Sequence, residues 1–264
     1  MHLHIHSGDC AAQILENSGL GEPCAVWGDV LHIGALDWRW PDEVRYEVRA
    51  QVLSDTQYKN ADVIAHLRKQ DATVDTASQY DEVTIWVDAC LYDQLILCFI
   101  LNRIYERTPN LNLLCMSETP DHLKFSGYGE LTQKQMLSLI PYRRPVTREQ
   151  FVAACLAWHT VASPERSPQR LRAIANETDA LPFLPAALER FAEEFSDAGG
   201  LNRTDRQILG ILRDSPLSRI KLFAASNALE EFPFMGDATF FDRVDNLVKN
   251  GLVRVDGDIY SCPL

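Results

Sequence analysis

Alternation of apolar and polar side chains begins at the first positions of the chain. Residues 3–6 alternate in this way, and the two-residue period predicts a short β-strand. Residues 7–9 are typical of a turn, and Asp9 stands at the N-cap position of a helix that the apolar spacing from Ala11 onward predicts. The chain is therefore expected to open with strand, turn and helix, an arrangement in which α/β folds place ligands at the turn.

The clearest strand signal covers residues 82–87, where β-branched residues dominate. Its nearly continuous apolar character indicates burial on both faces, as in a parallel sheet. A helix opening at residues 92–94 and a strand over 111–116 follow, and this spacing predicts a right-handed βαβ unit. The other predicted elements are strands over 24–27 and 123–125 and helices over 41–54 and 61–69.

The pattern divides the chain into three parts. Residues 1–131 are expected to form a Rossmann-like α/β domain with four or five mainly parallel strands. Proline-punctuated helical patterns fill residues 132–199, where Thr147 and Gln150 have the spacing of a capping box, and a helical connecting region is expected. Residues 200–264 contain three helical patterns and a hairpin with an aspartate–glycine turn, which predicts a winged-helix-like domain.

The net charge of the chain indicates which classes of binding partner are expected. The 264 residues carry a formal net charge of −12, which disfavours non-specific attraction to nucleic acid or to an anionic membrane. The helix predicted over residues 237–249 holds three aspartates against one arginine and one lysine. A helix that reads a DNA groove needs a basic or neutral surface, so duplex DNA is a disfavoured partner and a protein partner is preferred for this domain.

The cysteines and the apolar runs indicate a compartment. Seven cysteines are scattered along the chain without a C-x-x-C pair, as expected of free thiols in a reducing cytoplasm. The first residues lack the basic and apolar regions of a signal peptide, and the longest apolar run, residues 95–101, is too short to span a bilayer. A cytoplasmic protein without a membrane segment is therefore expected.

Polar residues follow the ends of several predicted strands. In a parallel sheet these ends share one edge, where open α/β sheets bind ligands, so we expect a pocket for a small polar ligand there. The alternative is local: Asp9 and Asp93 would be helix caps worth roughly 1 kcal/mol each, and Asp29 would close a turn. The expected lining residues are Gly8, Asp9, Cys10, Asp29, His32, Trp86, Asp93, Gln94 and Glu130.

No complete motif for a reaction is present. Residues 7–10 lack the glycine patterns of dinucleotide and P-loop sites, and Asp9 repels an anion unless a cation bridges the two. His4 and His6 resemble the first metal motif of the polymerase-and-histidinol-phosphatase class, but the helical second half leaves no later strands for further ligands, so no metal site is expected. Cys10 has the position of a thiolate nucleophile, with a small buried thiol as the alternative. No catalytic residue and no cofactor is assigned.

A set of short motifs carries a resemblance to one bacterial family. The motifs are Gly8-Asp9 with Ala11-Ala12, residues 27–34, Arg49 to Leu53, Trp86 with Leu91 to Leu95, residues 129–132, residues 181–184 with Ala187, Leu188 and Arg190, Gly200-Leu201 with Arg203-Thr204, and residues 233–237. The chain resembles the family called domain of unknown function 1835, with its usual C-terminal companion domain. The resemblance implies the architecture above and supplies no reaction. Cys10 and Ala35 depart from the family, in which serine and proline are common at these positions.

Two functions from different classes remain open. The leading hypothesis is a cytoplasmic protein whose strand-end pocket binds a small polar ligand of a nucleotide-like kind, with a reaction on that ligand undecided. The alternative is a regulatory or adaptor protein that acts through its winged helix on a protein partner. A converging set of strand-end residues would favour the first function over the second.

Overall fold

A computed structural model of the chain describes residues 1–54 and 59–263. It forms two compact units, Met1–Glu189 and Arg190–Leu264. The helices between residues 132 and 189 belong to the first unit, and the predicted three-part division of the chain stays a prediction. Within the described ranges, no helix combines the length and the apolar character that crossing a membrane requires.

A five-stranded sheet lies in the first unit. Its strands are β1 (His2–His6), β2 (Cys24–Val26), β3 (Glu82–Val87), β4 (Leu111–Cys115) and β5 (Arg144–Pro145). Their order across the sheet is β2-β1-β3-β4-β5, with β1 to β4 parallel and β5 antiparallel to β4. The predicted α/β class with a mainly parallel sheet is therefore confirmed. His6 pairs in register with Val26 on one side and Trp86 on the other.

Helices alternate with these strands and follow them along the chain, and the last of these helices crosses the boundary between the two units. They are α1 (Asp9–Glu16), α2 (Asp42–Leu53), α3 (Asn60–Asp75), α4 (Leu91–Ile104), α5 (Gln133–Leu139), α6 (Arg148–Val161), α7 (Pro168–Ala175) and α8 (Leu184–Ala192). The helix α1 packs with α5, whereas α4 packs with α3 and α6. Right-handed crossovers that leave β1 and β3 in opposite directions place α1 and α4 on opposite faces. Because α4 is apolar on nearly every side, it is buried between neighbours, where Phe99 stacks on Trp27 at 4.2 Å.

Two local predictions were wrong. The N-cap of α1 is the extended Gly8, and Asp9 is the first helical residue, so its carboxylate lies in the first turn without capping the helix. The predicted strand over residues 123–125 is absent from the described chain, which has only a single bridge between Glu118 and Lys124 there. Phe125 instead turns inward and packs on Tyr128, with ring centroids 5.1 Å apart. The free energy gained by burying this ring exceeds what pairing of these residues with the sheet would contribute.

The second unit is small and mixes helices with a short sheet. Its further elements are α9 (Arg203–Asp214), β6 (Leu217–Ser218), α10 (Arg219–Asn227), α11 (Asp237–Lys249), β7 (Arg254–Asp256) and β8 (Ile259–Ser261). The strands are antiparallel in the order β6-β8-β7, and the predicted hairpin turns at Gly257, whose φ is +59°. Within this unit, the Arg190 guanidinium donates to Glu230, Glu194 and Thr204, which links the start of the unit to α9 and to the loop before α11.

Candidate functional site

The strand order reverses between β1 and β3. The chain leaves β1 toward β2 and leaves β3 toward β4, so the loops at the two carboxyl ends diverge. In open α/β sheets the crevice that opens at such a point is where ligands bind. The residues after His6 and after Val87 are therefore the first place to look for a site.

Hydrogen bonds join the two loops at this point. The Ser7 side chain is hydrogen-bonded to the carboxylate of Asp93, which lies in the first turn of α4. The same carboxylate accepts from the backbone N–H of Asp88 at 2.7 Å. The Gln94 amide donates to the carbonyl oxygen of Asp88 at 2.5 Å. The end of β1, the end of β3 and the start of α4 are thus held together by side chains.

Glycines allow two further loops to approach closely. A Cβ atom built on Gly28 would lie 2.8 Å from the Tyr92 hydroxyl oxygen and 3.2 Å from the Ser7 carbonyl oxygen. A Cβ atom built on Gly129 would lie 3.1 Å from the Cβ of Cys10. The loop after β2 and the loop around residue 129 therefore both reach this edge of the sheet.

Two buried carboxylates lie at the centre of this arrangement. Burial raises the pKa of Asp88, and the negative charge of Glu130 adds to the effect. Burial raises the pKa of Asp93 well above its usual range, and the neighbouring Asp88 adds to it. Among the described residues, neither carboxylate has a lysine, arginine or histidine within ion-pair distance. The site is acidic, and no cationic side chain among the described residues compensates the charge of its two central carboxylates.

The predicted residues of the first turn and of the Glu130 loop lie at the exposed side of this edge. Asp9 and Cys10 are exposed at the start of α1, and Gly8 is half-buried before them. Glu130 is exposed too, and its carboxylate accepts from the backbone N–H of Ser126 at 3.0 Å. Together with Asp93 and Gln94, these residues form the part of the predicted set that the structure brings together.

Asp29 forms a buried ion pair with Arg49. Its buried carboxylate accepts two hydrogen bonds from the Arg49 guanidinium, at 3.0 Å from Nε and 2.7 Å from Nη2. Two further N–H groups of Arg49 donate to the carbonyl oxygens of Val30 and Ile33. The pair fixes the loop after β2. The predicted contact of Asp29 with a ligand stays a prediction.

His32 and Trp86 are buried and belong to the packing. The Trp86 ring stacks on His6 at 5.2 Å between ring centroids and meets the edge of Tyr128 at 5.6 Å. It lies beneath the strand ends, in a core with Leu114 and Phe125. His32 is only 7% exposed. Both side chains are therefore buried in the structure, and their predicted contacts with a ligand stay predictions.

The histidines of β1 form a second cluster, with donor atoms of His2, His4 and Glu22 close together. The indole N–H of Trp86, which can only donate, points at Nδ1 of His4 at 3.0 Å. This nitrogen must therefore accept, and the proton of the neutral ring is on Nε2, which donates to Glu22 at 2.7 Å. A metal on Nε2 would need the proton moved to Nδ1, against the indole N–H. The cluster is thus a hydrogen-bonded packing motif.

Sequence reasoning missed Ser7, Asp88, Cys90 and Tyr92. Asp88 follows directly after the clearest strand, so the rule that selected the other strand-end residues could have selected it as well. Tyr92 directly precedes the predicted Asp93 and Gln94 in the sequence, so it could have been included with them. Cys90 carried no signal, because its position near the carboxylates depends on how α4 starts.

All seven cysteines are free thiols in the structure, and Cys10 is exposed while Cys90 is buried. No protein-family model and no curated protein matches the chain. The resemblance to the domain of unknown function 1835 family therefore stays a prediction.

Proposed function

We propose that the first unit binds a small polar ligand at the carboxyl edge between β1 and β3. The observation that carries the proposal is the linked set of Ser7, Asp88 and Asp93 at the point where the strand order reverses. Buried carboxylates without a charged partner cost free energy, and functional sites are where proteins retain such groups. Exposed Asp9 and Glu130 add acceptors beside them.

The chemistry of the edge selects among ligands. Its carboxylates accept hydrogen bonds, so they suit hydroxyl, amine or amide groups, such as the ribose and base of a nucleoside. A phosphate would be repelled by Asp9 unless a cation lay between them. The start of α1 supplies N–H groups for such an anion once its charge is compensated. A nucleotide-like ligand is therefore compatible with this edge through its sugar, its base or a bridging cation.

Thermal unfolding of the full chain with adenosine, AMP and ATP, each with and without magnesium, tests this proposal. A ligand that raises the wild-type midpoint should lose most of its effect in Asp9→Asn and Asp93→Asn. The matched control is Asp242→Asn, an exposed aspartate of the second unit, which should respond as wild type does. Equal shifts in all four proteins, or no shift with any nucleotide, would reject a nucleotide-like ligand at this edge.

Free thiols throughout the chain support a reducing compartment, and we assign the protein to the cytoplasm on this ground.

A second function rests on the second unit. Its element order α9-β6-α10-α11-β7-β8, with β6 paired to β8, supports a winged-helix-like domain that binds a protein partner. Capture experiments with the full chain and with a chain truncated after residue 199 separate the two functions. A partner that the full chain captures and the truncated chain does not would favour this role. If the full chain captures no partner, the result counts against it.

A further inference from the structure

Buried aspartates in this protein follow a rule with one exception. Five are buried among the described residues, namely Asp29, Asp71, Asp88, Asp93 and Asp205. Asp29 is paired with Arg49, Asp71 with Arg45 and Arg103, and Asp205 with Arg243. An ionised carboxylate in the interior needs such a partner, because the cost of its desolvation is large. Only the adjacent pair Asp88 and Asp93 lacks a cationic side chain within the described part of the chain.

Further donor atoms surround this pair. One oxygen of each carboxylate and the sulfur of Cys90 lie within 4.8 Å of one another, and the thiol is hydrogen-bonded to Asp88. A second observation is independent of these three groups. Gln94 is fully buried, its Nε2 donates to the Asp88 carbonyl and to Cys115, and its Oε1 has no hydrogen-bond partner among the described residues. A buried amide oxygen without a donor is costly, so a ligand at this place would satisfy it.

We propose that Asp88, Cys90 and Asp93 bind a divalent cation of the zinc class at the carboxyl end of β3, where the buried Gln94 amide already contacts the Asp88 backbone. The donor set decides the class. Zinc binds thiolate and carboxylate together at about 2.0–2.3 Å, whereas magnesium requires oxygen donors in an octahedron. Three protein ligands would leave a fourth position for an exogenous group.

The inference deepens the proposed function and rests on it for the identity of the bound molecule. A cation at this place would compensate the two buried carboxylates and would remove the repulsion between this acidic edge and an anionic group. A phosphate or carboxylate of the ligand could then occupy the fourth position. Metal binding itself requires no ligand, so it is measured with zinc alone.

Competition for zinc between the full chain and a chromogenic chelator tests the proposal. We expect one tight site in the wild type and a dissociation constant at least roughly tenfold higher in Asp93→Asn and Cys90→Ser. Two control variants remove other donors: Glu22→Gln in the histidine cluster and Cys155→Ser in α6, and both should bind as wild type does. Loss of zinc in a control variant with retention in Asp93→Asn would overturn the proposal.

Cobalt supplies a readout that depends on the sulfur ligand. Cobalt(II) in this site should show a sulfur-to-metal charge-transfer band that is absent in Cys90→Ser and present in Cys155→Ser. A band that persists in Cys90→Ser overturns the assignment, as does magnesium binding as tight as zinc binding.

Asparagine has the shape of aspartate without its charge, so metal-free Asp93→Asn should unfold at or above the wild-type midpoint. Zinc binding without any nucleotide effect would leave the cation site standing and reject the proposed ligand instead.

Discussion

Single residues show how this chain keeps charge inside its core. Asp71 accepts from the Trp27 indole at 2.7 Å and from the Tyr46 hydroxyl at 2.9 Å, and it is paired with Arg45. The Asp29–Arg49 pair is also held by further hydrogen bonds, because the guanidinium donates to the carbonyl oxygens of Val30 and Ile33 as well as to Asp29. Such pairs are stable only when both partners and their hydrogen bonds are present, because removal of one partner leaves the other charged and buried.

Arg49→Leu should therefore lower the free energy of unfolding by about 3–5 kcal/mol. The Asp29 carboxylate would keep its charge without a partner, and two loop carbonyl oxygens would lose their donors. Urea unfolding followed by circular dichroism measures the change. Arg68→Leu is the matched control, because its pair with Glu43 is exposed, and no measurable loss is expected there. If the two variants were equally stable, the buried pair would have no structural role.

His6 makes the stability of the first unit depend on pH. Burial lowers the pKa of its ring to about 3, from an ordinary value of 6.5. The unfolded chain therefore binds a proton that the folded chain does not, and stability is lost as the pH falls from 6.5 toward 3. The contribution is about 1.4 kcal/mol per pH unit in this window. His6→Phe keeps the stack on Trp86 and removes the titration. Urea midpoints of the two proteins should diverge below pH 6.5, and parallel pH profiles would contradict the argument.

At the scale of elements, helix ends are where sequence patterns were most reliable. Thr132, Thr147 and Asn202 each form a capping box with the residue three positions later, as the spacing of Thr147 and Gln150 predicted. The exception is α1, where glycine occupies the N-cap. Strand boundaries were less predictable. The two-residue β5 has almost no pattern of its own and exists because Arg144 and Pro145 pair with the edge of β4.

Two glycines should respond in opposite directions to alanine. Gly210 lies inside α9, and a Cβ there meets no atom within 4 Å. Gly210→Ala should raise the free energy of unfolding by about 0.5–1 kcal/mol, because glycine loses more backbone entropy in a helix. Gly28→Ala should lower it by about 1–3 kcal/mol, since its Cβ would crowd buried Tyr92 and the Ser7 carbonyl. Denaturant curves of both variants measure the difference. A neutral Gly28→Ala would show that the loop after β2 does not approach the site closely.

At the scale of the whole molecule, the sequence predicted the class of the fold and only part of the site. Period-two and apolar-run signals identify the parallel strands, and parallel order then forces their carboxyl ends to one edge. The roles of side chains at that edge depend on partners distant in sequence. Arg49 captures Asp29, and Ser7 contacts Asp93 from the other loop. Neither pairing leaves a local pattern, so the sequence could propose Asp29 as a ligand contact but could not show that it was already paired.

The surface charge supports a last prediction, that the protein does not bind duplex DNA. The net charge of −12 repels a polyanion such as DNA over distances at which salt does not screen the interaction. The arginines of α11 and α10 are also engaged, since Arg243 pairs with Asp205 and Arg219 with Asp245. Electrostatic binding to DNA is strongest at low salt. A gel-shift assay with duplex DNA at about 50 mM salt should nevertheless show no shift. A shift that weakens steeply with added salt would contradict this prediction and would show that the second unit binds DNA through phosphate contacts.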